Sequence, residues 1–424
     1  MPSAATAERP IRVATTAAGL RGTKWDPARL PEGTQLSAHA LVTDDKADVT
    51  GYLFRRGGET SVVCAMHPRE LNVAQYLVPD LLLAGVAVWI QGSRSPGNDI
   101  RLEHETAVLD LAAGQRFLRS QGGFTKTVLQ GTSGGGPLAA YYIQQARRPP
   151  DDRVLRSPGG RPTGFEKATL PEPDGVILIS SHLGQGELLL RCIDPSVTDE
   201  NDPLQTDESL SAFNPANGYK RGPESSRYSL EFLARYRAAQ RQRVARIDAF
   251  ARDCLAAKSA ARKRLKESPS REDAIIAAYS QIFNVWRTDA DPRCFDLSLE
   301  PSDRAYGTLW GANQTASNYG SVGFARVCTP ESWLSNWSAL SSNASIEKCA
   351  PDMTQPTLMI EYTGDNSVFP SEADFIFECI GAASKQRKKI HGNHHGRPIA
   401  EDAPNGQLEA GRTIDEWLRQ NGFC

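Results

Sequence analysis

The sequence predicts an α/β fold in which helices cover both faces of a mostly parallel central sheet. Short apolar runs at residues 61–66, 86–90, 127–130 and 175–180 alternate with segments whose apolar residues recur at helical spacing. Strands that are apolar throughout must be buried on both faces, as they are in parallel sheets. A further apolar run at residues 356–362 shows that the same alternation resumes near the C-terminus. The pattern therefore predicts one sheet whose strands are interrupted along the chain by a long insertion.

The segments between the apolar runs carry apolar residues at spacings of three and four, which is typical of amphipathic helices. Helices are predicted over residues 73–83, 104–118, 137–145, 372–382 and 408–419, with a short strand near residues 389–390.

The chain is expected to divide into four parts. Residues 1–35 are rich in Ala, Thr, Arg and Pro and predict an N-terminal tail, and residues 36–185 form the first part of the α/β core. Residues 186–350 form an insertion, and residues 351–424 complete the core. The insertion is expected to be mainly helical, with helices over 225–266 and 272–286, and an insertion of this size between late strands is a natural lid.

Composition excludes several classes of function. Lys and Arg number 48 against 50 acidic residues, a formal net charge of -2, so no attraction to nucleic acid or to a membrane surface is expected. The basic helix at residues 235–266 has apolar residues at core spacing, which favours a solvated outer face over nucleic-acid binding. No apolar run is long enough for a membrane span, and the N-terminus lacks the pattern of a signal peptide. Eight scattered cysteines without metal-ligand spacing predict a reducing, cytoplasmic setting and no metal site, while one or two disulfide bridges stay open as an alternative.

The segment Gly131-Thr132-Ser133-Gly134-Gly135 fits the pattern G-x-S-x-G. It follows an apolar strand directly and precedes a predicted helix, which is the strand–turn–helix setting of a nucleophile elbow. A plain glycine-rich turn is the alternative, and a phosphate-binding loop is disfavoured because the Gly-Lys-Ser/Thr ending is absent. Ser133 is therefore the candidate nucleophile.

A serine hydroxyl needs a general base, and an imidazole is the usual one. The chain has seven histidines, and three of them, His391, His394 and His395, lie in a loop after the last predicted strand. His391 is too near the strand. His394 is the first choice as base, and His395 is its close rival.

An acid is needed to orient that histidine, and it is expected at the end of the preceding strand. Asp365 lies in a Gly-Asp turn directly after the strand at 356–362. Glu361 and Asp374 are weaker candidates, and Asp194 is possible only if the acid has moved to an earlier strand. The predicted triad is thus Ser133, Asp365 and His394, in that chain order.

Taken together, the elbow at 131–135, the acid turn at 364–365 and the histidine loop at 392–395 resemble the α/β-hydrolase superfamily, on the branch of esterases and acyl hydrolases with a large helical lid. The resemblance implies an oxyanion hole made by the amide of Gly134 and by a second amide in the loop after an early strand, at residues 64–69. Pro68 has no amide hydrogen, so Arg69 or Glu70 would have to donate, with Arg69 preferred. His67 and Thr132 are expected to contact the substrate.

The resulting expectation is a serine hydrolase that cleaves a carboxylic ester or a lactone of a small acyl substrate through an acyl-enzyme on Ser133. Two alternatives stay open at this point. One is an amidase or peptidase with the same triad, and the other is an inactive hydrolase-fold protein used for binding. Nothing in the proposed chemistry calls for a cofactor, and the sequence does not reveal the oligomeric state.

Overall fold

The computed structural model of the protein describes residues 27–321 and 323–424. The predicted tail at residues 1–35 lies outside the described residues as far as residue 26. The strands are β1 (Gln35–Val42), β2 (Asp48–Arg55), β3 (Ser61–His67), β4 (Ala87–Gly92), β5 (Lys126–Thr132), β6 (Gly175–Ile179), β7 (Val197–Asp199), β8 (Asp202–Thr206), β9 (Phe283–Asn284), β10 (Val327–Cys328), β11 (Thr357–Tyr362) and β12 (Lys385–Ile390). The α-helices are α1 (Val78–Ala84), α2 (His104–Ser120), α3 (Gly135–Arg147), α4 (Gln185–Cys192), α5 (Leu230–Glu267), α6 (Arg271–Ala278), α7 (Gln314–Tyr319), α8 (Pro330–Ser332), α9 (Ile346–Cys349), α10 (Pro370–Cys379) and α11 (Gly406–Gln420).

Eight strands form one sheet in the order β1-β2-β4-β3-β5-β6-β11-β12. The β1–β2 and β2–β4 pairs are antiparallel, and every other neighbouring pair in the sheet is parallel. The prediction of a mostly parallel central sheet is confirmed. Because the parallel strands all end at the same edge, the loops after β3, β5, β6, β11 and β12 gather there.

The hairpin of β1 and β2 was not predicted from the sequence. Most side chains of β1 are exposed, because β1 is one of the two edge strands of the sheet. An edge strand of this kind carries no continuous apolar run, which was the signal used for the other strands.

Two apolar layers hold the sheet between helices. One layer packs α2, α3 and α10 against the sheet and includes Leu109, Leu138 and Ile376. The other packs α1 and α11 against the opposite face and includes Leu81 and Trp417. The prediction of helices on both faces is therefore confirmed as well.

The chain leaves the sheet after β6 and returns at β11. This excursion contains α5, whose buried residues Phe232, Tyr236, Val244, Ile247 and Ala251 recur at helical spacing as predicted. The second predicted helix, at 272–286, is shorter than expected, since α6 ends at Ala278. Its last third is extended, because Phe283–Asn284 pairs with Val327–Cys328, and a tertiary pairing of this kind overrides local helix propensity. Within residues 27–321 and 323–424, no helix combines the length and apolar character needed to cross a bilayer.

Candidate active site

Ser133 stands on a sharp turn between β5, which ends at Thr132, and α3, which begins at Gly135. Its φ is 55°, a left-handed conformation that non-glycine residues rarely adopt. A Cβ at Gly131 would lie 2.6 Å from the carbonyl oxygen of Gly135, and a Cβ at Gly135 would lie 2.7 Å from that of Met66. Both positions therefore require glycine, and the turn presents the serine hydroxyl at the edge of the sheet.

The structure brings the side chains of Ser133, His394 and Asp365 into one chain of hydrogen bonds. Ser133 Oγ lies 3.1 Å from His394 Nε2, and His394 Nδ1 lies 2.8 Å from Asp365 Oδ2. His394 is 1% exposed and Asp365 is 3% exposed. An imidazole whose Nδ1 faces a carboxylate is held with Nε2 free to accept a proton from the serine hydroxyl.

Asp365 is itself fixed by the turn that follows β11. Its Oδ1 accepts hydrogen bonds from the amides of Ser367 at 2.7 Å and Val368 at 3.1 Å. Burial by itself would raise the pKa of this carboxyl, but the charge and hydrogen bond of His394 and the two amides outweigh burial, so the pKa lies below its usual value. The carboxylate is thus ionised and has one oxygen left for the histidine.

The other acids considered from the sequence have different partners. Glu361 and Asp374 both pair with Arg387. Asp194 is buried against Arg287 within the insertion. Each of these carboxylates forms an ion pair with an arginine, whereas Asp365 is hydrogen-bonded to an imidazole.

Of the other two histidines in the C-terminal loop, His391 Nδ1 lies 3.1 Å from Asp303 Oδ2. His395 lies edge-on to His394, with ring centroids 5.0 Å apart, and lines the cavity beside Ser133. Burial, together with His394, lowers the pKa of His395 to about 3, which keeps that imidazole neutral.

A histidine that the sequence analysis did not assign lies against the nucleophile. His182 Nε2 lies 3.3 Å from Ser133 Oγ and 3.0 Å from Ser367 Oγ, and its ring stacks on His394 with centroids 5.4 Å apart. The amide of His182 also donates to the carbonyl oxygen of Ser133 at 3.1 Å. Burial and the neighbouring His394 lower the pKa of His182 to about 3, so this imidazole is neutral.

One signal in the sequence could have found His182. It lies three residues past the end of β6, and β6 is the parallel neighbour of β5, the strand that leads to Ser133. Loops that follow neighbouring parallel strands meet at one edge of the sheet. A histidine in that position is therefore a candidate neighbour of the nucleophile.

The sheet order and the placement of these loops together identify the fold. The turn after β5 carries the serine, the turn after β11 carries the aspartate, and the loop after β12 carries the histidine. Serine, acid and histidine in that chain order, with the serine on a strained strand-to-helix turn, are the arrangement of the α/β-hydrolases. The chain has the α/β-hydrolase fold.

No protein-family model and no curated protein matches the chain. Solved structures that are similar to it include DcsB in complex with its substrate analogue, at 13% identity and a TM-score of 0.47 over 91% of this chain and 99% of that one. The α/β-hydrolase GrgF from Penicillium sp. sh18 has 12% identity and a TM-score of 0.46 over 92% and 99% of the two chains. The esterase Pf2001 of Pyrococcus furiosus has 11% identity and a TM-score of 0.44 over 94% of each chain.

In the α/β-hydrolase fold the oxyanion hole is expected beside the elbow. The amide of Gly134 makes no hydrogen bond to any of the described residues, so it is free to donate. The amide of Arg69 donates instead to Nδ1 of His67 at 3.2 Å. Burial and the neighbouring Arg69 hold the pKa of His67 well below its usual value, so the ring is neutral, and the bond from the Arg69 amide favours the tautomer in which Nδ1 accepts. Arg69 can therefore serve as second donor only if it exchanges this bond for one to the substrate.

A cavity that is open to solvent lies beside Ser133. It is lined by residues of the sheet edge, of the loop after β3 and of the insertion, including His67, Arg69, Glu70, Gln75, Tyr76, Ile90, Gln130, Thr132, His182, Leu309, Trp310, Phe324 and His395. His67 and Thr132, both predicted to contact the substrate, thus lie in its wall. A mostly apolar wall with a few polar groups is typical of a pocket for a small organic ligand.

The two charged side chains of this wall, Arg69 and Glu70, differ in their hydrogen-bond partners. The Arg69 guanidinium makes two hydrogen bonds of 2.8 Å to the Asp99 carboxylate and lies over the ring of Trp337. Among the described residues, the Glu70 carboxylate has no hydrogen-bond or ion-pair partner. Arg69 is thus held in place as part of the wall, and Glu70 is a free acceptor at the cavity.

Proposed function

We propose that this α/β-hydrolase is a serine hydrolase that cleaves a carboxylic ester or a lactone through an acyl-enzyme on Ser133. The observation that carries the proposal is the unbroken chain of hydrogen bonds from Ser133 through His394 to Asp365, at 3.1 and 2.8 Å. The first distance puts a nucleophile and a base within reach of proton transfer, and the second is that of a hydrogen bond between the base and the acid that orients it.

In the proposed mechanism His394 Nε2 takes the proton of Ser133 Oγ as that oxygen attacks the substrate carbonyl carbon. The negative charge that develops on the carbonyl oxygen is stabilised by the Gly134 amide, with the Arg69 amide as second donor after it leaves His67. His394 then donates its proton to the departing alkoxide, which leaves as the alcohol. In the second half, His394 removes a proton from water as the water oxygen attacks the acyl carbon, and it then returns this proton to Ser133 Oγ as the acyl–oxygen bond breaks and the acid leaves.

His182 acts in this proposal by positioning the nucleophile. Ser133 Oγ carries one proton, and that proton must point to His394 Nε2. His182 Nε2, 3.3 Å away, can therefore interact with the same oxygen only as an N–H donor. Its low pKa makes it a poor base, and its neutral ring still carries an N–H that can hold a lone pair of Ser133 Oγ in one orientation.

Replacing His182 by Phe is expected to lower kcat by about tenfold with little change in KM, because the ring stays stacked on His394 but the N–H donor is lost. His182→Gln, whose Nε2 can reach the same position, is expected to recover part of the loss. A purely structural role would give equal losses in both variants together with a lower Tm, and that result would remove His182 from the mechanism. Steady-state kinetics and thermal melts on the two variants measure this.

The predicted lid is retained as part of the proposal. Leu309, Trp310 and Phe324 of the insertion line the cavity beside Ser133. A substrate in that cavity would be covered by these side chains and partly shielded from water. The proposed boundaries of the insertion are those predicted, residues 186–350.

The proposal is tested first by labelling with a fluorophosphonate, which reacts with an activated serine. Labelling is expected in the natural protein and absent in Ser133→Ala, while Ser120→Ala, at an exposed serine on α2, should be labelled normally. Label that persists in Ser133→Ala would refute the assignment of the nucleophile, and no label in the natural protein would indicate an inactive binding protein.

Turnover of p-nitrophenyl acetate and butyrate, compared with the matching p-nitroanilides, then tests whether the enzyme cleaves an ester bond or an amide bond. Cleavage of the esters with slow or absent cleavage of the anilides is the expected result. Comparable rates on the anilides would indicate an amidase or peptidase that uses the same serine.

A further inference from the structure

Two buried glutamine side chains in the wall of the catalytic cavity each leave one polar atom without a partner. Gln75 Oε1 accepts from the amide of Leu77 at 2.9 Å, but its Nε2 has no partner among the described residues. Gln130 Nε2 donates to Thr132 Oγ1 at 3.3 Å, and its Oε1 likewise has none. Gln75 is 8% exposed and Gln130 is 1% exposed, and both line the cavity beside Ser133.

Unpaired polar atoms are unfavourable in such a place, because a buried donor or acceptor without a partner loses its hydrogen bond to water and gains nothing in return. Gln130 belongs to β5, three residues before Ser133, and its side chain points to the same face of the sheet as that of Val128, which packs in the apolar layer of α1. Gln75 lies just before α1, on that same face. Both groups are therefore on the side of the sheet that α1 covers, close to the nucleophile.

In the orientations shown, the two unpaired atoms have opposite hydrogen-bonding character. The bond from the Leu77 amide fixes the orientation of the Gln75 amide, so the free atom there is a donor. At Gln130 the partner is the Thr132 hydroxyl, which can donate or accept, so the free atom is an acceptor in the orientation shown and a donor if the amide is turned over. A hydroxyl group both donates and accepts, and it can satisfy either kind of atom, whereas an ammonium group only donates and a carboxylate only accepts.

The other residues of the cavity wall indicate the chemical character of the ligand apart from its hydroxyl group. Tyr76, Ile90, Leu309 and Phe324 give the cavity apolar surface, and Glu70 adds a further free acceptor. Trp310 Nε1 and His182 Nδ1 are further polar atoms of the wall without a partner among the described residues. A ligand that fits has an apolar body with a hydroxyl rather than a plain alkyl chain.

We infer that the cavity takes the acyl group of an ester or lactone and that this acyl group carries a hydroxyl bound by the side-chain amides of Gln75 and Gln130. The inference rests on the proposed function, because it names the substrate class of the same site. A pocket built to hydrogen-bond a substrate hydroxyl discriminates strongly against the analogue that lacks it, since the pocket's own polar groups are then left unpaired.

The test uses p-nitrophenyl butyrate and hexanoate beside 3-hydroxybutyrate, 6-hydroxyhexanoate and 6-aminohexanoate esters of the same phenol. At least one hydroxy ester is expected to exceed its alkyl parent in kcat/KM by about tenfold or more. In Gln75→Met and in Gln130→Met that ratio is expected to fall towards one. Gln242→Met, on the exposed face of α5, is the matched control and should keep the ratio of the natural protein.

The outcomes separate this inference from the proposed function. If the alkyl esters are hydrolysed and no hydroxy ester is preferred, or if the preference survives in both glutamine variants, the inference is wrong and the proposed function stands. A preference for the amino ester over the hydroxy esters would assign recognition to the charge of Glu70 and would also overturn it. If no ester is hydrolysed and Ser133 takes no fluorophosphonate label, both fail. Labelling of each variant at Ser133 shows that it has folded with an intact nucleophile.

Discussion

His394→Ala is expected to lower kcat for ester hydrolysis by about a millionfold, because removing the base of a catalytic serine leaves the hydroxyl without a proton acceptor. His394 Nε2 lies 3.1 Å from Ser133 Oγ and its Nδ1 is held by Asp365. His182 also touches the hydroxyl, but its depressed pKa prevents it from replacing the base. The measurement is the rate of p-nitrophenyl butyrate hydrolysis, with the rate of fluorophosphonate labelling as a second readout.

The neighbouring His395 provides the comparison for this prediction. His395→Ala is expected to lower the rate far less, because that ring lines the cavity and does not contact Ser133 through a hydrogen bond. Equal losses in the two variants would contradict the assignment of His394 as the base, and a larger loss at His395 would exchange their roles.

Asp365→Asn is expected to lower kcat by about ten-thousandfold, the loss known for the same change in a serine-protease triad. The reason lies in the turn after β11. The amides of Ser367 and Val368 both donate to Oδ1 of residue 365, so an asparagine there must keep its oxygen on that side. Its NH₂ group then faces His394 Nδ1 and forces that nitrogen to accept. The proton moves to Nε2, which can no longer take a proton from Ser133.

The control for this change is Asp374→Asn, which removes a rival acid that pairs with Arg387 on the surface of the core. Its activity is expected to match that of the natural protein. Activity of Asp365→Asn within tenfold of the natural protein would show that Asp365 does not orient the base. An unchanged Tm for both variants would show that any loss is catalytic rather than a loss of folded protein.

Much of the fold could be predicted from the sequence because its signals are local. The buried parallel strands are apolar throughout, so β3, β4, β5, β6 and β11 were each marked by a run of apolar residues. The edge hairpin carries no such run, and the end of the helix predicted to reach residue 286 was decided by pairing with a segment more than forty residues later in the chain.

The candidate site likewise has features that are local in the sequence and features that are not. The elbow is local, because Gly131, Ser133 and Gly135 lie within five residues and the turn needs glycine at two of them. The order of serine, acid and histidine along the chain was likewise readable from the sequence, and the catalytic roles of these residues remain a prediction until the variants are measured.

The sequence by itself determined the alternation of apolar strands with amphipathic helices and the glycine-rich turn that presents Ser133. It also determined the loops that contain the acid and the histidine. Only the tertiary structure decided which of the adjacent side chains His394 and His395 reaches the serine, since neighbouring residues in a loop point in directions that packing alone sets. The same holds for His182, which is 49 positions from Ser133 in the chain but 3.3 Å from its hydroxyl, and for the bond between Arg69 and His67 that occupies the predicted second oxyanion donor. Contacts of this kind join residues far apart in the chain, and their geometry follows from how the strands and the insertion pack, which spacing in a sequence does not encode.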